Sequence, residues 1–559
     1  MTQSLPITLL STALNHIPPT VWLILDFLFD ICTFWFRQLL ALWRRKNPVN
    51  LAKQALLKSD NYNDWLENAT YVDRLTGNDL WRLNFTSKKY DCRLISDRVQ
   101  QLKHARELGD VATLVKVLRT GSFLRNFGGI SNKNLFNRAY AGTKILIEDY
   151  ISEVIKTLEY LDSTPLQSQK IHQLSSNQMK LDFFHEARQA FGSTALILQG
   201  GSLFGLCHIG VVKALYFKGL LPRIISGSAV GAVVAALVCV LTNDELKDTL
   251  ETLPDKLDQL DRRLYKKGSV DERYGSVIEN VITKGYSQDI FIFTKYVRQI
   301  IGDLTFEEAY IKTTKILNVV IHPTDPSIPT LLNHVTAPNV VIWSALYASI
   351  GSGVINEENC TLYIKDLQSR IVPFDPNTSG EPVRFLTPHQ ANERDPGTYE
   401  SGKESPYTRL TELFNVNNFI VSLARPYLAP LLVNDIKHET GWRVKRLTRR
   451  LMGLELQHRM ELLDRVGLLS SAVKRLAVDE KTPLNASEIT IVPELRMLMR
   501  DFGRVFDVHR VKENINYWVN VGERSVWKCL PAVWVRCGVE FTLDDLYNKR
   551  RKRRAGVMY

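Results

Sequence analysis

The chain has 559 residues, 45% of them apolar, and a formal net charge of +12. This is an ordinary globular composition with chain enough for two to four domains and a large core. Half of the charge excess is one run, Lys549-Arg550-Arg551-Lys552-Arg553-Arg554, which excludes a basic domain.

Such a run suits an anionic lipid surface or stays solvated. No helix-turn-helix, zinc-finger or RNP signature accompanies it, so nucleic acid is not expected as a partner. The seven cysteines are odd in number, scattered and free of any C-x-x-C pair. They point to a reducing, cytosol-facing protein without a disulfide framework or a zinc site. No metal or cofactor is expected.

At the N-terminus, Val21 to Lys46 is apolar but interrupted by Asp26 and Asp30. Each acid near a membrane centre would cost roughly 2.5–3.5 kcal/mol. On a helix, Asp26, Asp30, Thr33 and Arg37 share one stripe, while Trp22, Phe29, Trp35, Phe36 and Trp43 cover much of the rest. This pattern predicts a helix lying in a lipid interface and ended by Arg44-Arg45-Lys46. A tilted span and a soluble core helix are the alternatives.

Residues from about 50 to 160 read as helical, with LIEDYISEVIKTLEYL at clear helical spacing. Asp162 to Lys180, rich in Ser and Gln, reads as a linker. Strand and helix patterns then alternate. Thr194–Gln199 is a buried strand and GLCHIGVVKALYFKG its helix. PRIIS is a second strand, GAVVAALVCVL its helix, and ILNVVIHPTD a third strand. This alternation predicts an α/β fold with a mainly parallel sheet. Arg370 to Arg409 reads as a long irregular loop. From about Lys437 the chain reads as helical and basic; around Trp442 a charged solvent face is expected, with a second interfacial helix as the alternative. The expected domains are an anchor over 1–47, a helical module and linker over 48–180, the α/β core over 181–436 and a helical basic region over 437–559.

Two turns carry the chemistry. Gly200-Gly201-Ser202-Leu203-Phe204-Gly205 lies between a strand and a helix, where free backbone N–H groups can face an anion or an oxyanion. Gly227-Ser228-Ala229-Val230-Gly231 has the strand-turn-helix layout of a G-x-S-x-G nucleophile elbow, but its apex is Ala229. Alanine offers no attacking atom, so no acyl-enzyme can form there. Ser228 is the nearest hydroxyl. Because neighbouring side chains alternate in direction, it is expected to point away from the glycine loop. Ser226 lies further back, on the strand itself.

The stretch ALILQGGSLFGLCHIGVVKALYFKGLLPRIISGSAVGA resembles the fungal patatin-like triacylglycerol lipases of lipid droplets. The likeness extends through NDLWRLNFTSKKYD, LRNFGGISNKNLF, GTKILIEDYI, HVTAPNVVIWSA and YTRLTELFNVNNFIVSLARPYLAP. The resemblance implies a patatin-like core behind a helical module, attachment to the droplet monolayer and its acyl lipids, and a part in triacylglycerol breakdown. The droplet surface is the expected location, with the endoplasmic reticulum membrane as an alternative.

Family catalysis uses a Ser–Asp dyad, so the resemblance makes Ala229 the lost nucleophile position. The family's aspartate sits in an Asp-Gly pair, and this chain has none. Asp395 is the nearest stand-in and Asp375 a weaker one. His208 falls in the scaffold helix, and patatins use no catalytic histidine. Some members carry an H-x-x-x-x-D acyltransferase motif. None of the eleven histidines here has Asp five positions on, and His104, His389 and His458 have it six on, so that activity is not expected.

Two readings lead, with a simple lipid-surface scaffold that binds acyl chains as a third. In the first, the protein is a non-catalytic partner that regulates or stabilises an active paralogous lipase. In the second, it is a lipase using an off-register serine, Ser228, with Asp395. Under either, deleting Val21 to Arg45 should release the protein from droplets to the cytosol. Flotation of the truncated protein with droplets in a density gradient would place the anchor elsewhere.

Overall fold

The computed structural model describes residues 48–164, 177–264, 286–351, 360–374, 384–386, 405–424, 488–493, 503–506 and 510–557, apart from 202 and 326, with isolated positions within 30–37 and 451–462. The chain divides into two compact units, residues 1–77 and 78–559. In the first, α1 (Pro48–Lys58) packs on α2 (Tyr62–Thr76). The buried positions Trp65, Ala69 and Val72 recur at i, i+4 and i+7, the spacing of one helix face. Of the predicted interfacial segment, Asp30, Thr33 and Arg37 are helical, and Ile31, Phe34 and Trp35 are exposed large apolar residues. Most of Val21 to Lys46 lies outside the described residues. Among the described residues no helix is long and apolar enough to cross a membrane.

The second unit begins with α3 (Asn78–Leu83), α4 (Cys92–Glu107) and α5 (Val111–Val117). Asp91 and Asp110 accept first-turn N–H groups and so start α4 and α5. A π-helical turn, Leu118–Ser122, follows α5. Then come α6 (Ile145–Ser163) and α7 (Asn177–Phe191). The predicted linker is therefore shorter than Asp162 to Lys180, because both helices run into it.

The core alternates strand and helix as expected: β1 (Ser193–Gln199), α8 (Cys207–Phe217), β2 (Ile224–Gly227), α9 (Val230–Val240), α10 (Asn243–Leu264), α11 (Gln288–Ile301), α12 (Phe306–Thr313) and β3 (Ile316–Val320). It continues with β4 (Leu331–Leu332), α13 (Ile342–Ile350), a small hairpin of β5 (Tyr363–Lys365) and β6 (Ile371–Pro373), α14 (Pro406–Phe414) and β7 (Val416–Leu423). The sheet order is β4-β3-β2-β1-β7-β8, with β8 at Glu488–Ile491. All pairs are parallel except β3 with β4. The sheet buries both faces, and β1, β2 and β3 are accordingly runs of buried residues. Strand order reverses beside β1, and in open α/β sheets such a reversal marks the carboxyl ends of the flanking strands, here β1 and β7, as the place for a ligand crevice.

Strand β8 corrects the expectation of a wholly helical region after Lys437. Only Ile489 and Ile491 of its four residues are buried, too short an alternation to stand out in the sequence. Trp442 lies outside the described residues. The basic run is also corrected. It continues the last helix, α16 (Leu530–Val557), which follows α15 (Val511–Trp527) and packs on α6 and α7. Arg550 is buried and donates to Asp162 Oδ1 at 2.6 Å and to Asn177 Oδ1 at 2.9 Å. Lys549 reaches Asp162 Oδ2 at 3.3 Å. These two charges hold the helical module together and are not part of a free tail.

Helices α8 and α15 meet backbone to backbone. A Cβ on Gly210 would lie 1.9 Å from Val519 O, and one on Gly522 would lie 2.1 Å from Cys207 O. No side chain fits there without parting the helices. Gly210→Ala and Gly522→Ala should each lower stability by about 3 kcal/mol, the upper end of ordinary overpacking. Chemical denaturation measures this, and a change below 1 kcal/mol for both would show that the two helices separate easily.

Candidate functional site

The crevice is built from two turns that touch. After β1, Gly200 (φ 68) and Gly201 (φ 99) are left-handed. A Cβ on Gly201 would lie 2.7 Å from Gly205 Cα, so the glycine loop doubles back on itself. After β2, Gly227 and Ser228 lead to Ala229, which stands at φ 51, ψ −121 as the residue before α9. This is a non-glycine residue in a sparsely populated region, a strain of about 1–3 kcal/mol. It is the sharp strand-to-helix turn that a nucleophile elbow requires. The predicted elbow glycines fit it: a Cβ on Gly231 would meet Leu198 O at 2.1 Å, and one on Gly227 would meet Ala232 N at 2.5 Å.

Five hydrogen bonds fasten the elbow. Ser228 N–H donates to Leu198 O at 3.1 Å and Gly231 N–H to Gly200 O at 3.1 Å. Ala229 N–H donates to Ser349 Oγ at 2.9 Å, and Ser349 Oγ–H donates in turn to Val320 O at 2.6 Å. Gly200 N–H donates to Ser228 Oγ at 3.2 Å. Ser349, fully buried on α13, is the functional-site residue that sequence reasoning missed. It lies 120 positions from Ala229, and nothing local to it marks the contact. At the other end of α9, half-buried Lys315 donates to Val238 O and Leu241 O, both at 3.1 Å, and caps the helix as a cation should.

The orientation expected for Ser228 is corrected. Its hydroxyl turns toward the glycine loop, because the loop passes over the elbow closely enough for Gly200 N–H to reach it. Ser228 is only 5% exposed, with its N–H and its oxygen both engaged with the loop strand. The contact also takes Gly200 N–H out of the expected oxyanion donor set of Gly200, Gly201 and Ser202. Ser226 is buried on β2. Ser202, Asp375 and Asp395 lie outside the described residues. Gly205 packs on α9, where a Cβ would meet Val230 Cγ1 at 2.4 Å. Among the described residues no group of His, Cys, Asp and Glu could hold a metal ion.

His208 stands on α8, fully buried, with Nδ1 2.9 Å from Ser422 Oγ at the end of β7. It ties the scaffold helix to the sheet. Burial pushes its imidazole down to about 4, against the pull of the Gln199 and Gly200 backbone. The neutral form is therefore the folded form, and the unfolded chain takes up the proton first. Its stabilising share is complete above the ordinary histidine value near 6.5 and is lost as pH falls toward 4. Between those limits His208 should cost the protein about 3 kcal/mol. Denaturation at pH 6.5 and pH 4.5 of wild type and His208→Gln should show a shallower loss in the variant. Equal losses would move the acid sensitivity to another group.

Two family descriptions match the chain: a domain of unknown function over residues 41–189 and a patatin-like phospholipase over residues 196–352. The chain is 38% identical to Triacylglycerol lipase 3 of Saccharomyces cerevisiae, over 97% of this chain and 96% of that protein. It is 34% identical to Triacylglycerol lipase ptl1 of Schizosaccharomyces pombe, over 94% and 90%. It is 31% identical to Triacylglycerol lipase SDP1L of Arabidopsis thaliana, over 92% of this chain and 60% of that one.

Proposed function

The chain belongs to the fungal patatin-like triacylglycerol lipase family, and we propose that it acts in triacylglycerol breakdown without forming an acyl-enzyme of its own. It works at the lipid-droplet surface as a regulator or stabilising partner of an active paralogous lipase. The observation that carries this reading is Ala229 at the apex of an intact, strained elbow. Acyl transfer needs an oxygen that attacks the carbonyl carbon and a base that takes its proton. A methyl group supplies neither. The substrate class comes from the relatives, each named a triacylglycerol lipase. Droplet attachment is supported by the apolar N-terminal segment and by the exposure of Phe34 and Trp35, which suit a monolayer over an oil core.

The off-register reading asks Ser228 to attack instead. Its oxygen accepts the Gly200 N–H, and freeing it would leave that half-buried N–H without its partner. A displacement of even 1 Å from attack geometry can cost about a hundredfold.

A fluorophosphonate probe decides between the two. Wild type should stay unlabelled and hydrolyse triolein no faster than Ser228→Ala. Ala229→Ser should label slowly and give at most a feeble esterase, because the general base, worth roughly 10²–10⁴-fold, is not restored with it. Wild-type labelling abolished by Ser228→Ala would hand the activity to Ser228.

A further inference from the structure

A cavity lies away from the elbow, between the turn at Leu118–Ser122 and the carboxyl-terminal half of α7. Its volume is about 280 Å³. Phe123, Phe183 and Ala187 form a buried apolar floor, and Leu124, 62% exposed, lies at the lining's open side. The only charged groups in the lining are Arg119 and Glu186, paired at 2.8 Å and 55% and 61% exposed. Arg119 also lies over the Phe183 ring, 5.8 Å from its centroid. Backbone geometry shapes the wall. Gly121 stands at φ 130 inside the π-helical turn, where a Cβ would come 2.9 Å from the Phe127 ring.

An apolar pocket with one arginine at its edge matches one ligand chemistry, an alkyl chain ending in a carboxylate. We propose that this cavity binds the head end of a free fatty acid. The carboxylate takes Arg119 in the bidentate manner that guanidinium favours. Glu186 turns out to solvent, which its exposure permits at little cost. The first methylenes fill the floor, and the rest of the chain lies along Leu124, since the volume is below that of a pocket for a whole drug-sized ligand. The choice of fatty acid rests on the proposed part in triacylglycerol breakdown, which releases this product. The cavity lies beside the amino end of β1, because α7 runs directly into that strand. Ala229 follows β2 at the opposite end of the sheet.

The test is calorimetric titration of the full chain with dodecanoate, with dodecanol as the uncharged control. Dodecanoate should bind saturably. Arg119→Gln should weaken it about tenfold, as loss of a charged hydrogen bond predicts, and leave dodecanol unchanged. Glu186→Gln should tighten dodecanoate about twofold to fivefold by releasing Arg119 from an exposed pair. Ala190→Trp, a substitution at an exposed lining position, should abolish binding without moving the unfolding temperature. No dodecanoate binding, or binding untouched by Ala190→Trp and Glu186→Gln, overturns the site. Dodecanoate binding with a fluorophosphonate-reactive Ser228 would keep the site and overturn the non-catalytic role. The reverse result would separate them the other way.

Discussion

The contact on which the crevice depends is the one between the end of β1 and the start of α9. Gly231 lies against Leu198 so closely that any Cβ would overlap the carbonyl. That approach lets Gly231 N–H reach Gly200 O and Ser228 N–H reach Leu198 O. The parallel pairing of β1 with β2 sets their register. The elbow then has to turn sharply, because the next helix must start beside the strand it has just left. The positive φ of Ala229 follows from this geometry. Relaxing it would break hydrogen bonds on both sides of the turn.

A strained apex without a nucleophile is physically coherent for the same reason. The strain is held by backbone bonds and by Ser349, which accepts the Ala229 N–H from a helix distant in sequence. None of these bonds involves the side chain at position 229. A hydroxyl there would serve chemistry alone, and the turn keeps its shape without one. Ser228 differs. Its oxygen accepts a half-buried donor of the glycine loop, so it belongs to the structure of the turn, and a reaction there would disturb the loop meant to assist it.

The parts of this architecture with local periodic signals were legible in the sequence. β1, β2 and β3 are short buried runs bounded by turn residues. α9 is apolar throughout because it sits inside the unit, and all eleven of its residues are buried. The elbow was legible because its two glycines and its place between strand and helix are local. The direction of the Ser228 side chain was not, since it depends on where the loop after β1 crosses the turn. Ser349 and Ser422 were missed for the same reason: each is an ordinary serine whose partner comes from another element. Strand β8 was missed because two alternating isoleucines give no period. The start of the basic run, Lys549 and Arg550, was misread because its counter-charge, Asp162, is nearly 400 positions away.

That last pairing is one of the clasps by which the carboxyl-terminal helix becomes part of the core. Another is deeper. Arg125 donates to Glu540 Oε2 at 3.1 Å and to Arg536 O at 2.6 Å, and Glu540 accepts Thr194 N–H at 2.6 Å at the start of β1. Burial raises the Glu540 carboxyl against the pull of Arg125. A buried pair of this kind contributes little net stability, because desolvation offsets the attraction, yet removing one partner strands the other. Its consequence is registration. The loop bearing Arg125, the helix bearing Glu540 and the amino end of β1 can meet in one arrangement. The strand that carries the glycine loop is therefore positioned from below by the helical parts of the chain. Those helices thus help to hold the elbow in shape, and the scaffold keeps its form whether or not position 229 can react.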